Sequence, residues 1–166
     1  MTITDLSGRW EVCLDESKAD ALPTKYPDRI SLPDSTSNAG LGALNTEMEY
    51  GCLTDLHKFE GFAWFRREVE IIPEMSGKNL TLFLERTRKT RVYIDGNQIG
   101  EYCSLCTPHR YDLTGLPAGK HELIIRVDNA DYPTGGGHLT SRDTQTNWNG
   151  IVGRIELQSY SAYPEY

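Results

Sequence analysis

Short runs that alternate apolar and polar residues, separated by glycine, proline and asparagine, restrict the fold of this chain more than any other feature. Between Ala63 and Ile71, the apolar side chains of Phe65, Val69 and Ile71 share one face of an extended chain, and charged residues occupy much of the other. This period of two predicts a β-strand. Similar runs cover residues 9–15, 29–32, 79–85, 90–94, 98–99, 123–127 and one strand from Ile151, in which every second residue lines the core.

Turn chemistry fixes how these strands connect. Asp95-Gly96-Asn97 lies between two apolar runs and predicts a tight hairpin, because Asp and Gly both tolerate a positive φ. No segment keeps helical periodicity over three turns, and residues 44–57 have room for one short helix at most. Short strands without a strand-helix-strand rhythm favour an all-β chain, folded as an antiparallel jelly-roll β-sandwich.

The length of 166 residues and the 38% hydrophobic content fit one domain with a substantial core. We predict that residues 1–158 form this single sandwich. Residues 159–166 contain three tyrosines and lead to nothing further, so we interpret them as a linker or as the start of a following domain absent from this chain. The chain is therefore expected to be cut from a longer polypeptide.

The net charge of −7 and the pI near 5.1 argue against polyanionic partners. Nucleic acid and anionic membrane surfaces would be repelled, and no apolar run approaches the roughly 20 residues of a membrane helix. The N-terminus lacks the pattern of a signal peptide. A leader removed before Met1 would make the parent protein periplasmic or secreted, so the sequence leaves the compartment open.

No metal or cofactor is predicted. Cys103 and Cys106 have the spacing of zinc ligands, with His109 nearby, but no second ligand pair lies at a matching interval. Asp128 and Asp131 are weak candidates for a hard cation such as Ca²⁺, and an Asx turn that stops the strand is the competing interpretation. The four cysteines permit three pairings, so their redox state stays open.

The candidate binding site is the polar segment 143–149, which leads into the strand at Ile151. An indole can stack on the C–H groups of a sugar, and amides and carboxylates can bond its hydroxyl groups. Asn and Gly before a strand are also ordinary turn residues, and a tryptophan at a strand entrance often belongs to the core. The candidate sugar-binding residues are His138, Arg142, Asp143, Asn147, Trp148 and Asn149.

Catalytic machinery is not evident in this sequence. No Ser or Cys lies in a Gly-flanked nucleophile elbow, and the four histidines are scattered. The only Gly-rich stretch, Gly135-Gly136-Gly137, leads into His138-Leu139-Thr140 rather than a helix, which disfavours a phosphate-binding loop. The sequence thus supplies a binding loop without an associated reaction.

Several segments resemble one enzyme family. Gly61-Phe62-Ala63-Trp64-Phe65-Arg66-Arg67-Glu68-Val69 is similar to the G-x-A-W-Y-R-R/K-x-F/V strand in the N-terminal sugar-binding domain of glycoside hydrolase family 2, the β-galactosidase and β-glucuronidase family. Five other segments resemble further family motifs in the same order, namely residues 30–36, 92–96, 111–114, 126–129 and 147–151. Within residues 92–96, Asp95 replaces the asparagine that is usual in the family hairpin.

The resemblance implies a galactose-binding-like jelly roll that is followed, in the same polypeptide, by an immunoglobulin-like domain and a TIM barrel. In this family both catalytic glutamates lie on the barrel, so neither corresponds to a residue of this chain. Loops of the N-terminal sandwich reach the rim of the active site, and the segment ending at Trp148 is the natural counterpart. Trp64 and Arg66, which lie within a strand, are expected to serve the scaffold.

Three hypotheses about function follow. The first is an accessory domain that supports and rims the active site of a glycosidase, with carbohydrate and the following domains as partners. The second is an autonomous carbohydrate-binding module that relies on the Trp148 segment. The third is a purely structural sandwich that packs against neighbouring domains and never contacts sugar.

Overall fold

The computed structural model describes residues 1–46, 56–131 and 147–161. These residues form strands and turns but no helix, and hence none that could cross a membrane. The strands, numbered in chain order, are β1 (Thr2–Asp5), β2 (Gly8–Asp15), β3 (Asp28–Leu32), β4 (Asp34–Ser35), β5 (Ala43–Leu44), β6 (His57–Lys58), β7 (Phe62–Ile71), β8 (Asn79–Leu84), β9 (Lys89–Ile94), β10 (Asn97–Tyr102), β11 (His109–Asp112), β12 (Gly119–Asp128), β13 (Gly150–Ile151) and β14 (Ile155–Tyr160).

Two antiparallel sheets carry the fold. The larger has the order β10-β9-β12-β7-β2-β3 and the smaller the order β1-β14-β8-β11, while β13 pairs with β4 and β5 with β6. The predicted all-β jelly-roll sandwich is confirmed. Leu44 and His57, the ends of the segment considered for a short helix, pair with each other in β5 and β6, and residues 47–55 lie outside the described residues.

The main core lies between the two sheets and follows the predicted alternation. In β7, Phe65 is fully buried and Val69 and Ile71 are almost so, whereas Glu68 and Glu70 are exposed on the other side. Burial of one large aliphatic or aromatic side chain stabilises a fold by about 1.5–3 kcal/mol. Other strands of both sheets contribute through the same spacing, with Trp10, Val12, Leu80, Leu82, Leu84, Leu123, Ile125, Val127, Ile155 and Leu157 all buried.

The predicted hairpin is confirmed between β9 and β10. Asp95 and Gly96 form the turn with φ of 49° and 79°, as a two-residue hairpin loop requires. The Asp95 carboxylate also contacts His121 Nδ1 at 2.6 Å and accepts a hydrogen bond from Glu122 N at 2.8 Å. The bond to Asp95 raises the pKa of His121, and the same bond lowers the pKa of Asp95. The acidic turn residue thus holds the hairpin against β12.

The prediction of one continuous strand from Ile151 is wrong. The chain leaves its pairing with β4 after β13 and joins the four-stranded sheet only at β14. Between these strands, Val152 N donates to Arg86 O and Arg154 O accepts from Glu85 N. Gly153 lies against the backbone of this turn, where an added Cβ would be 2.5 Å from Glu85 O. The predicted core positions Ile151, Ile155 and Leu157 are fully buried, and Glu156 on the opposite face of β14 is buried as well. β14 then continues to Tyr160, beyond residue 158.

A second, smaller apolar cluster covers the outer face of the six-stranded sheet. We call residues 16–27, which connect β2 to β3, the strap. Tyr26 of the strap packs with four residues of the sheet, Phe62, Trp64, Tyr93 and Ile124. Trp64 is fully buried there, and Arg66 places its guanidinium carbon 4.2 Å from the centre of the Tyr26 ring. Both residues therefore belong to the scaffold, as predicted.

Candidate functional site

The candidate site lies at the end of the sandwich where β7 begins, β12 ends and β13 begins. Three of the six predicted sugar-binding residues, Asn147, Trp148 and Asn149, are described there. The other three, His138, Arg142 and Asp143, fall within residues 132–146, outside the described residues, and stay predictions. The local chain path follows from Gly150, whose φ of 131° turns the backbone into β13 against Asp34 and Ser35 of β4.

Asn149 is fully buried beneath this end of the sandwich. Its Nδ2 donates to Val127 O at 3.1 Å, to Asn129 Oδ1 at 3.2 Å and to Gly61 O at 3.3 Å. Its backbone carbonyl accepts a hydrogen bond from Thr36 N at 2.9 Å. The Asn149 amide therefore joins β7, β12 and β13 from inside the domain.

Asn129 is a second buried asparagine, which sequence reasoning did not assign to the site. Its Nδ2 donates to Asn147 O at 2.9 Å, and Asn147 Nδ2 donates back to Asn129 O at 2.8 Å. We call Asn129, Asn147 and Asn149 the asparagine clasp. An asparagine directly after β12 and another directly before β13 were visible in the sequence, but their contact depends on the tertiary fold.

Trp148 is half-buried, with its ring against the guanidinium group of Arg88. The Arg88 Cζ atom lies 4.1 Å from the ring centre, and Arg88 Nε donates to Trp148 O at 3.1 Å. Arg88 is itself 3% exposed, so the indole packs against a buried residue of the β8–β9 connection. A cation over one ring face leaves the opposite face as the only one on which a sugar can stack.

Asp128 and Asp131, the weak cation candidates, are engaged with lysines and backbone amides. Asp128 Oδ1 accepts from Ala130 N and Asp131 N, which is an Asx turn at the end of β12. Asp128 Oδ2 lies 3.3 Å from Lys89 Nζ. The hydrogen bond from Lys18, at 2.9 Å, lowers the pKa of Asp131.

Of the residues with zinc-ligand spacing, Cys103, Cys106 and His109, only the histidine is part of the scaffold. His109 is fully buried, with Nδ1 2.6 Å from Thr90 Oγ1 and Nε2 2.7 Å from Ser104 O. Burial lowers the pKa of this imidazole. Cys103 and Cys106 are exposed free thiols, and the described residues contain no group of three potential ligands.

The described part of the site combines an indole held against a guanidinium group with the amide groups of three asparagines. Aromatic faces and amides are groups with which proteins recognise neutral polyols. Two buried carbonyl oxygens, Asn147 Oδ1 and Asn149 Oδ1, have no hydrogen-bond partner among the described residues. Contacts among the described residues therefore leave two side-chain oxygens of the clasp without a hydrogen bond.

Comparison with known proteins reveals the same fold in much longer enzymes, although no family model and no curated protein matches the sequence. A β-glucuronidase from an uncultured Clostridium species aligns over 95% of this chain, with a TM-score of 0.68 and 17% identity. A family GH2 β-galacturonidase from Eisenbergiella tayi, solved with galacturonate, aligns over 94% with a TM-score of 0.66 and 19% identity. A β-glucuronidase from glycoside hydrolase family 2 aligns over 95% with a TM-score of 0.72 and 18% identity.

The match covers nearly all of this chain but a minor part of each enzyme. The aligned part amounts to 29%, 24% and 17% of the three enzyme chains, respectively. At these identities the similarity establishes a shared fold. The resemblance to family 2 glycoside hydrolases that the sequence motifs indicated is therefore confirmed at the level of the fold.

Proposed function

We propose that this chain is the N-terminal accessory domain of a family 2 glycoside hydrolase. The observation that supports this most is the fold match, which takes in 95% of this chain and only 17–29% of two β-glucuronidases. Such coverage is expected when one domain of a multidomain enzyme is compared with the whole enzyme. Hydrolysis of O-glycosidic bonds would then belong to a catalytic barrel elsewhere in the parent, and we assign no catalytic residue to this chain.

Within that enzyme, the Trp148 end of the sandwich would rim the active site. Trp148 supplies a flat apolar surface held by Arg88, and Asn147 together with His138, Arg142 and Asp143 would supply hydrogen bonds to sugar hydroxyls. In this proposal Asn149 supports the rim and does not contact the sugar. Because it is fully buried and its amide nitrogen has three acceptors within the domain, it supports the rim from below.

The first test is the reading frame of the parent gene. An immunoglobulin-like segment and a segment of barrel length are expected after the sandwich. A parent frame in which neither segment occurs would remove the basis for an accessory role.

The second test is Trp148→Ala in the full-length parent enzyme. We expect a higher KM for the glycoside substrate with an unchanged melting temperature, because the indole lies at the rim rather than in the core. Val152→Ala is the matched control, since Val152 is 39% exposed and lies four residues further along the chain, in the turn between β13 and β14. Equal KM values in the parent, the variant and the control would contradict a rim role for Trp148.

An autonomous carbohydrate-binding module is the second candidate. It is favoured by the support of Trp148, which is complete within this chain and needs no other domain. Titration of the isolated chain with mono- and oligosaccharides distinguishes the two, because only the autonomous module binds sugar by itself. A purely structural sandwich would give a third result, with no binding by the chain and no effect of Trp148→Ala on KM in the parent.

A further inference from the structure

The connection between β10 and β11 carries two thiols that the proposed function does not use. Cys103 and Cys106 are both exposed and free, whereas Cys13 is half-buried against the second apolar cluster. β10 and β11 are edge strands of the larger and the smaller sheet, so residues 103–108 carry the chain from one sheet to the other. Exchange with a disulfide in solution requires an accessible thiol. Among the described cysteines, Cys103 and Cys106 are therefore the two best placed to react.

Both ends of this connection are fixed to the sandwich. Tyr102 OH donates to Arg110 O at 2.8 Å, and the Tyr102 ring stacks on that of His109 with 5.1 Å between the ring centres. His109 is itself fully buried and contacts Thr90 Oγ1 through Nδ1 at 2.6 Å. The chain therefore enters and leaves residues 103–108 at one place.

Ser104 folds the connection back between the two cysteines. Its carbonyl oxygen lies 2.7 Å from Nε2 of the buried His109. Its Oγ accepts hydrogen bonds from Thr107 Oγ1 at 2.8 Å, from Thr107 N at 3.3 Å and from Cys106 N at 3.4 Å. A serine hydroxyl that bonds backbone amides two and three residues ahead reverses the chain direction. A disulfide between Cys103 and Cys106 requires such a reversal, because the two Cα atoms must come close together.

We propose that Cys103 and Cys106 form a redox modification site, at which a low-molecular-weight disulfide oxidises both thiols to one intramolecular disulfide. The thiolate of one cysteine attacks the external disulfide, whose S–S bond breaks, and one small thiol leaves. The thiolate of the other cysteine then attacks the protein sulfur of this mixed disulfide and releases the second small thiol. The two cysteines lose two electrons and two protons, and the two released thiols take them up.

The cysteine pair lies at the same end of the sandwich as the asparagine clasp. Tyr102, which precedes Cys103, pairs with Thr90 of β9, and Thr90 pairs with Val127 of β12. The Val127 carbonyl oxygen accepts the hydrogen bond from Asn149 Nδ2 at 3.1 Å. Oxidation would therefore close a covalent loop at the end of the domain that carries the candidate site.

The test treats the Cys52→Ser chain with glutathione disulfide and determines the mass of the peptide that carries Cys103 and Cys106. The substitution removes a thiol outside the described residues. A neighbouring thiol has an effective concentration of about 1 mM or more, so at about 0.1 mM glutathione disulfide it should react about tenfold faster than a second glutathione disulfide. We expect about ten times more peptide that has lost two hydrogen atoms than peptide with two glutathiones. With Cys106→Ser added, the peptide should keep one glutathione at Cys103.

Two serine variants test whether the turn prepares the pair. Ser104→Ala should lower the ratio of internal disulfide to doubly modified peptide about fivefold, which corresponds to one neutral hydrogen bond. Ser17→Ala, at an exposed position of the strap, is the matched control and should keep the ratio. A predominance of peptide with two glutathiones would overturn the proposal, as would equal ratios in the two serine variants. Neither comparison involves Trp148 or a sugar, so failure of the proposed function would leave both unaffected.

Discussion

Replacing Asn149 with alanine tests whether this residue supports the candidate site or contacts sugar. The Asn149 Nδ2 group has two protons and three acceptors at 3.1–3.3 Å, so the change removes about two hydrogen bonds. Each neutral bond contributes about 1 kcal/mol net. The void left by the amide destabilises the variant, whereas removal of the unpartnered Oδ1 stabilises it. We take these two effects to cancel, so the free energy of unfolding should fall by about 2 kcal/mol, the contribution of the two lost bonds.

Urea denaturation at 25 °C measures this loss, and thermal unfolding should show a melting temperature lower by about 4–8 °C for a chain of this length. Asn97→Ala is the matched control, because Asn97 is exposed in β10 and should change stability by less than about 0.5 kcal/mol. Asn149→Asp should destabilise more than Asn149→Ala, since it places a carboxylate against three acceptor oxygens. If Asn149→Ala matched Asn97→Ala in stability while sugar binding by the parent fell, the scaffold role would be refuted.

Two further predictions concern backbone strain and pH. Gly150→Ala should cost about 3 kcal/mol or more, because φ is 131° and the new Cβ would lie 2.4 Å from Asp34 O. Gly115→Ala, at φ of 94° with nothing within 4 Å, should cost only about 1–2 kcal/mol in the same urea experiment. The hydrogen bond to Asp95 raises the pKa of His121. The stability that this pair gives the folded state is therefore complete below about pH 6.5 and declines as the pH rises through the raised pKa of His121. Urea midpoints between about pH 5 and pH 9 should show this decline, and Asp95→Asn should flatten it; an identical pH profile in the variant would count against the pair.

Alternation and turn chemistry were sufficient to predict the central strands. Ala63–Ile71 was recognised because one face of β7 is buried in the main core, and Asp95-Gly96 because positive φ is required at both positions. β1 was missed, since Thr2–Asp5 is an edge strand with little burial and hence no apolar pattern. The full length of β10 was missed for the same reason.

The break after β13 and the asparagine clasp could not be predicted, because both depend on contacts between distant segments. The break is set by Glu85 and Arg86, which bond the chain at Val152 and Arg154. In the candidate site, Trp148 was identified by its residue type, but its support by Arg88 comes from a different strand connection. Residue type thus nominates candidate side chains, whereas the residues that support them depend on the tertiary structure.

The reciprocal hydrogen bonds between Asn129 and Asn147 have a consequence for the evolution of such a domain. They join two residues that are 18 positions apart in the sequence and hold them together at this end of the sandwich. The entropy of closing a loop rises slowly with length, by about 0.6 kcal/mol per doubling. A change in the number of residues between Asn129 and Asn147 should therefore lower the free energy of unfolding only slightly. The clasp makes this end of the domain a natural place for new specificities to arise, and for designers to graft them.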